Sequence, residues 1–182
     1  METVGRFFIR DMTEADMDGK GYVHYQSWLE TYTGLMEEPI LAAHSLERCQ
    51  ETARKWPENT LVVLDRERGE RVAGFACFLP EAREFVTVPG ASEVTAIYLL
   101  AEYQGLGLGR RLMEACLERL PRPGVVLFVL KGNEKAIGFY EHMGFRMTGS
   151  EYVYKTRHGE LTELEMVLER FSALQLFCQF WS

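Results

Sequence analysis

The sequence predicts a single mixed α/β (α+β) domain, and three observations support this class. The chain has 182 residues, close to the roughly 150 residues that one domain commonly contains. Segments with helical spacing of apolar residues dominate the first third, whereas short apolar runs separated by turn residues dominate the rest. The chain shows no repeat, low-complexity tract or linker. We therefore expect one domain in which helices flank a sheet.

The first sixty residues are expected to be mostly helical. The run Phe7-Phe8-Ile9-Arg10 is a short strand candidate. Thr13 marks the start of a helix, which Gly19 and Gly21 should interrupt. Apolar residues then recur at helical spacing over 22–32, and a further helix is predicted over 45–56, ended by Pro57.

Strands and helices alternate in the remainder. The predicted strands are 61–64, 71–79, 92–99, 125–130, 146–154 and 161–168, and the predicted helices are 107–120 and 133–143. The continuous apolar run at 125–130 is typical of a strand covered on both faces. Asn133 should cap the second of these helices, and Gly144 should end it.

The charge balance excludes some classes of partner. The chain carries 27 acidic against 20 basic residues, a formal net charge of -7. Such a molecule repels phosphate backbones, so we expect no nucleic-acid partner and favour a cationic substrate. Its apolar stretches are far shorter than the ~18 residues that span a bilayer, and its first residues lack the layout of a signal peptide. No membrane association is therefore expected.

Cysteine and histidine spacing gives no metal motif. The four cysteines stand at 49, 77, 116 and 178 without a CxxC pair, and the four histidines are equally scattered. This spacing predicts reduced thiols, most of them buried, in a cytoplasmic protein without a bound metal.

The most informative segment is a glycine-rich turn between a strand and a helix. Glycines stand at 105, 107 and 109, and a helix begins directly on them. Helix N-termini carry unpaired N–H groups and a partial positive charge, and glycine lets an anion approach the backbone. A P-loop would need Gly-Lys-Ser/Thr where Arg110 and Arg111 follow, and a dinucleotide GxGxxG would need glycine at 110 or 112. Both of these nucleotide-binding motifs are therefore absent. The pattern that the segment does contain is Gln-x-x-Gly-x-Gly, beginning at Gln104.

This turn and a second segment resemble the GNAT superfamily of acyl-CoA-dependent N-acyltransferases. The second segment, Asn133 to Phe145, is similar to that family's Asn-x-x-Ala-x-x-Phe-Tyr-x-x-x-Gly-Phe. The resemblance covers about 71–168. It implies a mixed sheet of about six to seven strands flanked by helices, with a splayed strand pair that holds acyl-CoA. It also implies an acceptor-side part at 1–60, a CoA-binding core at 71–168 and a tail at 169–182.

The resemblance implies acetyl-CoA as the co-substrate. Its pantetheine arm would bond to the main chain of the strand before the turn, and its pyrophosphate would receive N–H groups of the turn. Arg110 and Arg111 place positive charge beside that anion, although Arg111 could equally point to solvent. The implied binding residues are Ile97, Tyr98, Leu99, Gln104, Gly105, Leu106, Gly107, Leu108, Gly109, Arg110, Asn133 and Tyr140.

Two residues are candidates for proton transfer. Tyr140 resembles the family's general acid, which protonates the leaving sulfur, because a phenol with a pKa near 10 stays protonated at neutral pH. Glu93, eleven residues before Gln104, is the candidate base by analogy with the histone acetyltransferase branch. An ammonium pKa near 10.4 lies about six units above that of a free glutamate. The base therefore needs a raised pKa, a water relay or an amine that binds neutral. The Ile97 N–H is the implied oxyanion donor, on a strand with a bulge.

The amine acceptor is less defined by sequence. Trp28 and Tyr32 are spaced to hold a cationic amine between them, although this spacing is also common for core residues. The expected reaction is acetyl transfer to a primary amine of a polyamine, amino-acid-like molecule or peptide by direct attack. A catalytically silent CoA-binding sensor or an interaction protein remains the alternative.

The last residues repeat apolar side chains at three- and four-residue intervals, from Phe171 to Trp181. This spacing predicts an amphipathic helix. It could dock onto the protein's own core or form a homodimer contact.

Overall fold

A seven-stranded sheet organises residues 5–170, the part of the chain that the computed structural model describes. Its strands are β1 (Phe7–Asp11), β2 (Thr60–Asp65), β3 (Arg71–Leu79), β4 (Ser92–Leu99), β5 (Gly124–Leu130), β6 (Arg146–Thr156) and β7 (Gly159–Glu169). Their spatial order is β1-β2-β3-β4-β5-β7-β6. β4 and β5 are parallel and all other neighbours are antiparallel, which confirms the predicted mixed sheet.

Helices cover both faces of this sheet. They are α1 (Met17–Tyr32), α2 (Glu38–Ala42), α3 (Leu46–Lys55), α4 (Leu108–Arg119) and α5 (Glu134–His142). Asn133 caps α5 as predicted, since its side chain accepts a hydrogen bond from the Ala136 N–H at 3.2 Å. Gly144 follows α5 with φ of 92°, a conformation that favours glycine. The short helix α2 was not predicted.

The prediction that Gly19 and Gly21 interrupt the first helix is wrong. α1 runs through both glycines, because they provide close packing rather than a break. A Cβ atom on Gly21 would lie 2.7 Å from Gln50 Cα of α3, and one on Gly19 would lie 2.7 Å from Val72 Cγ2. Glycine therefore lets α1 approach both α3 and the sheet.

The central strands separate at a bulge. β4 pairs with β5 only over Ser92–Val94. On its other side β4 pairs with β3, where Val94 opposes Phe78 and Ala96 opposes Cys77. Thr95 is thus an extra residue without a β3 partner, and such a bulge bends its strand. The splayed strand pair that the resemblance implies is present.

One core lies between the sheet and helices α4 and α5, and a second lies where α1 packs on the other face. The first contains Leu112, Met113 and Cys116 of α4 with Val125 and Met166 of the sheet. The second contains Val23 and Phe75. The predicted tail helix over 171–182 lies outside the described residues. Within 5–170, no helix is long and apolar enough to cross a membrane.

Candidate active site

A cavity of about 1040 Å³ opens where β4 and β5 separate. Its walls come from β4, the glycine turn, α4, α5 and the facing strands β5 and β7, with the end of α1 closing one side. Ile97, Tyr98 and Leu99 of β4 line it. β4 has no β5 partner at these three positions, so this edge of the strand is open to a ligand's hydrogen-bonding groups.

The glycine turn forms one end of this cavity. Gly105 and Gly107 adopt φ of 76° and 73°, in the left-handed region that side chains with a Cβ disfavour. A Cβ on either glycine would meet no atom within 4 Å, so the backbone here faces open space. α4 begins at Leu108, and its unpaired N–H groups are available to an anion. The turn therefore has the form of an anion cradle.

Residues around the turn lie in three different places. Gln104, Gly109 and Arg110 line the cavity. The side chain of Leu106 is 54% exposed, and that of Leu108 is buried in the second core. The Gln104 amide donates to the Leu99 carbonyl at 3.1 Å and accepts from Lys135 Nζ at 2.6 Å. Arg111 donates to the Phe7 carbonyl of β1 at 3.2 Å. Only Arg110 of the arginine pair thus faces the cavity.

Three tyrosines come together on the wall of the same cavity. The Tyr32 and Tyr98 hydroxyls lie 3.2 Å apart, and Tyr140 of α5 lines the same cavity. Burial, with the nearby Tyr32 as a smaller cause, raises the pKa of Tyr140 well above its usual value. Burial also raises the pKa of Tyr98 and of Tyr32. Tyr140 is therefore protonated at neutral pH, although the raised pKa makes its hydroxyl a weaker acid than a free phenol.

Glu163 is the carboxylate that sequence reasoning missed. It lies on β7, where it pairs with Leu130 of β5 and Tyr152 of β6, and it lines the cavity with the tyrosines. Burial raises the pKa of Glu163, the charge of Glu93 raises it further, and Arg83 opposes both. A carboxyl with a raised pKa is a better match for a proton taken from an amine.

Glu93, the sequence candidate for the base, is not among the described residues that line the cavity. It is fully buried, and its carboxylate is held by Arg83, whose Nε donates at 2.9 Å and whose backbone N–H donates at 3.1 Å. A further hydrogen bond to Glu93 comes from Nη2 of the Arg83 guanidinium. This pairing occupies the lone pairs that a base would use.

The two acceptor candidates are placed differently. Tyr32 lines the cavity, but Trp28 is not part of the described lining. The rings meet edge to face at 5.1 Å and 67°, so they do not form a parallel sandwich. Trp28 instead stacks on His44 at 4.1 Å. Phe128 of β5 and Phe139 of α5 are further aromatic residues that line the cavity.

Comparison with known proteins agrees with this geometry. Residues 24–145, well over half of the chain, match the model of the acetyltransferase (GNAT) family. A probable N-acetyltransferase of Mycobacterium tuberculosis is 25% identical over 160 residues, which are 83% of this chain and 86% of that protein. A peptidyl-lysine N-acetyltransferase of Salmonella typhimurium is 33% identical over 87 residues, which are 42% of this chain and 59% of that protein.

Solved structures show the same fold. The PaiA N-acetyltransferase of Thermoplasma acidophilum, solved with coenzyme A, superposes with a TM-score of 0.63 at 19% identity, covering 90% of this chain and 98% of that one. The relatives are named as N-acetyltransferases, and the fold is that of an acyltransferase of this type. The chain therefore belongs to the acetyltransferase (GNAT) family and is an N-acetyltransferase.

Proposed function

We propose that this enzyme transfers an acetyl group from acetyl-CoA to a primary amine that carries positive charge in solution. The observation that carries the proposal is the position of a proton donor, Tyr140, and a proton acceptor, Glu163, on one cavity. The acceptor would be a polyamine, an amino-acid-like amine or a lysine or terminal amine of a peptide.

The cavity residues fit acetyl-CoA, which supplies a reactive acetyl thioester. Gly105 and Gly107 leave open space above their backbone, and Arg110 adds a positive charge at the same end, so pyrophosphate binds there. The open edge of β4 offers main-chain groups to the pantetheine arm. Asn133 lines the cavity from α5, and its amide nitrogen remains free to donate while its oxygen caps the helix.

Proton transfer is divided between two residues. Glu163, directly or through one water, takes one proton from the bound ammonium group, so that the neutral nitrogen can attack the thioester carbonyl. The nitrogen releases its second proton to solvent as the new amide bond forms. The Ile97 N–H stabilises the oxygen charge that develops at the reacting carbonyl. As the carbon–sulfur bond breaks, Tyr140 donates its proton to the sulfur and regains one from solvent. The raised pKa of Glu163 reduces the cost of the first transfer.

The walls of the cavity favour a cationic acceptor. Glu163 lines the same cavity as Tyr32, Tyr98 and Phe128, and aromatic faces with a carboxylate attract an ammonium group. The net charge of -7 adds a long-range attraction of the same sign.

The direct test measures coenzyme A release and product mass with acetyl-CoA and a panel of polyamines, amino acids and lysine peptides. We expect turnover with at least one cationic amine. Tyr140→Phe should lower kcat by about 10²–10⁴-fold with little change in the KM for acetyl-CoA. Tyr154→Phe, which removes a hydroxyl from a residue that is 53% exposed on β6, should behave as wild type.

Tight acetyl-CoA binding without turnover on any amine would contradict catalysis and favour the silent sensor. Equal loss in Tyr140→Phe and Tyr154→Phe would contradict the role of Tyr140.

A further inference from the structure

Three side chains with metal-ligating atoms meet between α1 and α3. His24 lies on α1, Cys49 on α3, and His44 in the segment that joins α2 to α3. One ligand atom from each residue lies within 4.8 Å of the other two, and Cys49 Sγ lies 3.2 Å from the His44 Nε2. None of the three lines the acetyl-transfer cavity. We call this group the His–Cys cluster.

Packing alone leaves this cluster unsatisfied. The Nδ1 of His24 is buried without a hydrogen-bond partner among residues 5–170, and a buried polar atom without a partner commonly marks a water or an ion. Burial lowers the pKa of His24 to about 3 and also lowers that of His44. Both rings are therefore neutral at physiological pH, which is the form that binds metals.

The surroundings orient the ligands. The His44 ring stacks on Trp28 at 4.1 Å, and this contact fixes the orientation of the ring. The His24 ring meets Phe75 edge to face at 5.6 Å, so an apolar ring covers one side of the cluster.

The donor set selects the type of ion. Two imidazoles and a thiolate suit soft or borderline ions such as Zn²⁺ and Cu⁺, whereas Mg²⁺ and Ca²⁺ need oxygen ligands. Burial raises the pKa of Cys49 to about 11, a rise that the Lys20 ammonium, one turn before His24, only partly opposes. The ion must therefore displace the thiol proton, and the Lys20 charge opposes added positive charge. A thiolate with Cu⁺ leaves the cluster neutral, and a thiolate with Zn²⁺ leaves one positive charge.

A route to the cluster also exists. A second cavity of about 320 Å³ is lined by Lys20, His24 and Thr52. It offers entry for an ion and space for one further small ligand, which a three-residue zinc site requires.

We propose that His24, His44 and Cys49 bind one soft metal ion, Zn²⁺ or Cu⁺, that joins α1 to α3. This site is independent of acetyl transfer. Its structural effect extends to the active-site wall, because His44 stacks on Trp28 and Trp28 contacts Tyr32 at 5.1 Å.

The test uses the full chain, stripped of metal with a chelator and kept reduced. One arm adds Zn²⁺ against a chromophoric chelator, and the other adds Cu⁺ without oxygen against a Cu⁺ chelator. Metal content after desalting gives the stoichiometry. At about 100-fold excess over Kd, binding should raise Tm by about 5–10 °C.

Matched variants locate the site. Cys49→Ser and His24→Gln should each weaken binding at least about 10-fold. The controls are Cys116→Ala, a buried thiol of α4 that lines neither cavity, and His158→Gln, an exposed histidine in the β6–β7 turn. Both controls should keep one ion per chain.

A thiolate-to-metal absorption band, of Co²⁺ in the zinc arm and Cu⁺ in the copper arm, reports on wild type even where a variant fails to fold. The proposal is overturned if the wild type retains neither ion, if that band is absent, or if Cys49→Ser and His24→Gln bind as tightly as the controls. The two arms show which ion is preferred.

Discussion

Glu163 and Glu93 show how the surroundings of a carboxylate decide its chemistry. Glu93 lies on β4 and Glu163 on β7, yet Glu93 is held by Arg83 whereas Glu163 lines the cavity with a raised pKa. A carboxylate held by a guanidinium is a poor base, because abstracting a proton would cost it these hydrogen bonds. Glu163, which has fewer hydrogen-bond partners than Glu93, is therefore the better candidate for the base.

This contrast predicts a particular pH dependence. Glu163 must be deprotonated to accept a proton, so kcat/KM should fall at acid pH, with a midpoint above the usual glutamate range near 4.3. Glu163→Gln should lower kcat/KM by about 10²–10⁴-fold and remove this acid limb. The measurement is kcat/KM between pH 5 and 9 for wild type and variant.

Glu160→Gln is the control, since Glu160 lies at the start of the same strand and pairs with Lys155. It should retain the wild-type profile. If kcat/KM of Glu163→Gln still falls at acid pH as it does in the wild type, another group must cause that fall.

Most of the residues that sequence predicted for the cofactor side line the cavity, whereas of the acceptor-side pair only Tyr32 does. The glycine turn, Asn133 and Tyr140 are recognisable because each depends on local geometry within one segment. Glu163 sits in an alternating strand pattern like many others, and only the insertion of β7 between β5 and β6 brings it to the cavity. The His–Cys cluster was missed for the same reason, since α1 and α3 bring its three residues together.

At the level of elements, the path of α1 depends on glycine for contact rather than for a break. The short strand and the helix start that precede α1 are both detected from the sequence. The close approach of Gly21 to Gln50 is a tertiary property, so helix propensity alone gives the wrong boundary.

Gly21→Ala should therefore destabilise the protein. Its Cβ would lie 2.6 Å from Gln50 Cγ and 2.7 Å from Gln50 Cα, and the overpacking should lower the free energy of unfolding by about 1–3 kcal/mol. Gly138→Ala is the matched control, because it also lies in a helix but its Cβ would meet nothing within 4 Å. That change should stabilise by about 0.4–1 kcal/mol.

Urea unfolding of both variants gives the comparison. If Gly21→Ala is as stable as Gly138→Ala, α1 and α3 are not packed as closely as described.

At the scale of the whole molecule, ion pairs tie the first strand to its neighbour. The buried Asp65 carboxylate of β2 accepts from Arg6 Nε at 2.9 Å and Nη2 at 2.7 Å. These bonds lower the pKa of Asp65 although burial opposes them. Because the folded state holds this carboxylate ionised more strongly than the unfolded chain, the pair stabilises the fold at neutral pH.

The stabilisation that this ion pair provides should be fully present above the pKa of Asp65 in the unfolded chain, near 3.9. It should be lost as pH falls through the lower pKa of Asp65 in the folded state. Asp65→Asn should lower the unfolding free energy at pH 7 by about 1–3 kcal/mol, a range kept modest because Arg6 is 38% exposed. Its stability should then vary less with pH below 4. Urea midpoints at pH 7, 4 and 3 measure both effects.

The control is Asp11→Asn, whose side chain is 75% exposed. It should follow the wild-type pH dependence, and a matching dependence in Asp65→Asn would show that Asp65 does not control acid stability.

The three-residue contact between β4 and β5 divides the sheet into two blocks of strands, β1–β4 and β5–β7. Backbone pairing along this seam is short, and the first core, to which α4 and α5 contribute, contains residues of both blocks. A molecule inserted along the seam would bond to β4 of one block and contact the other block. We therefore expect its binding to stiffen the junction between the two blocks.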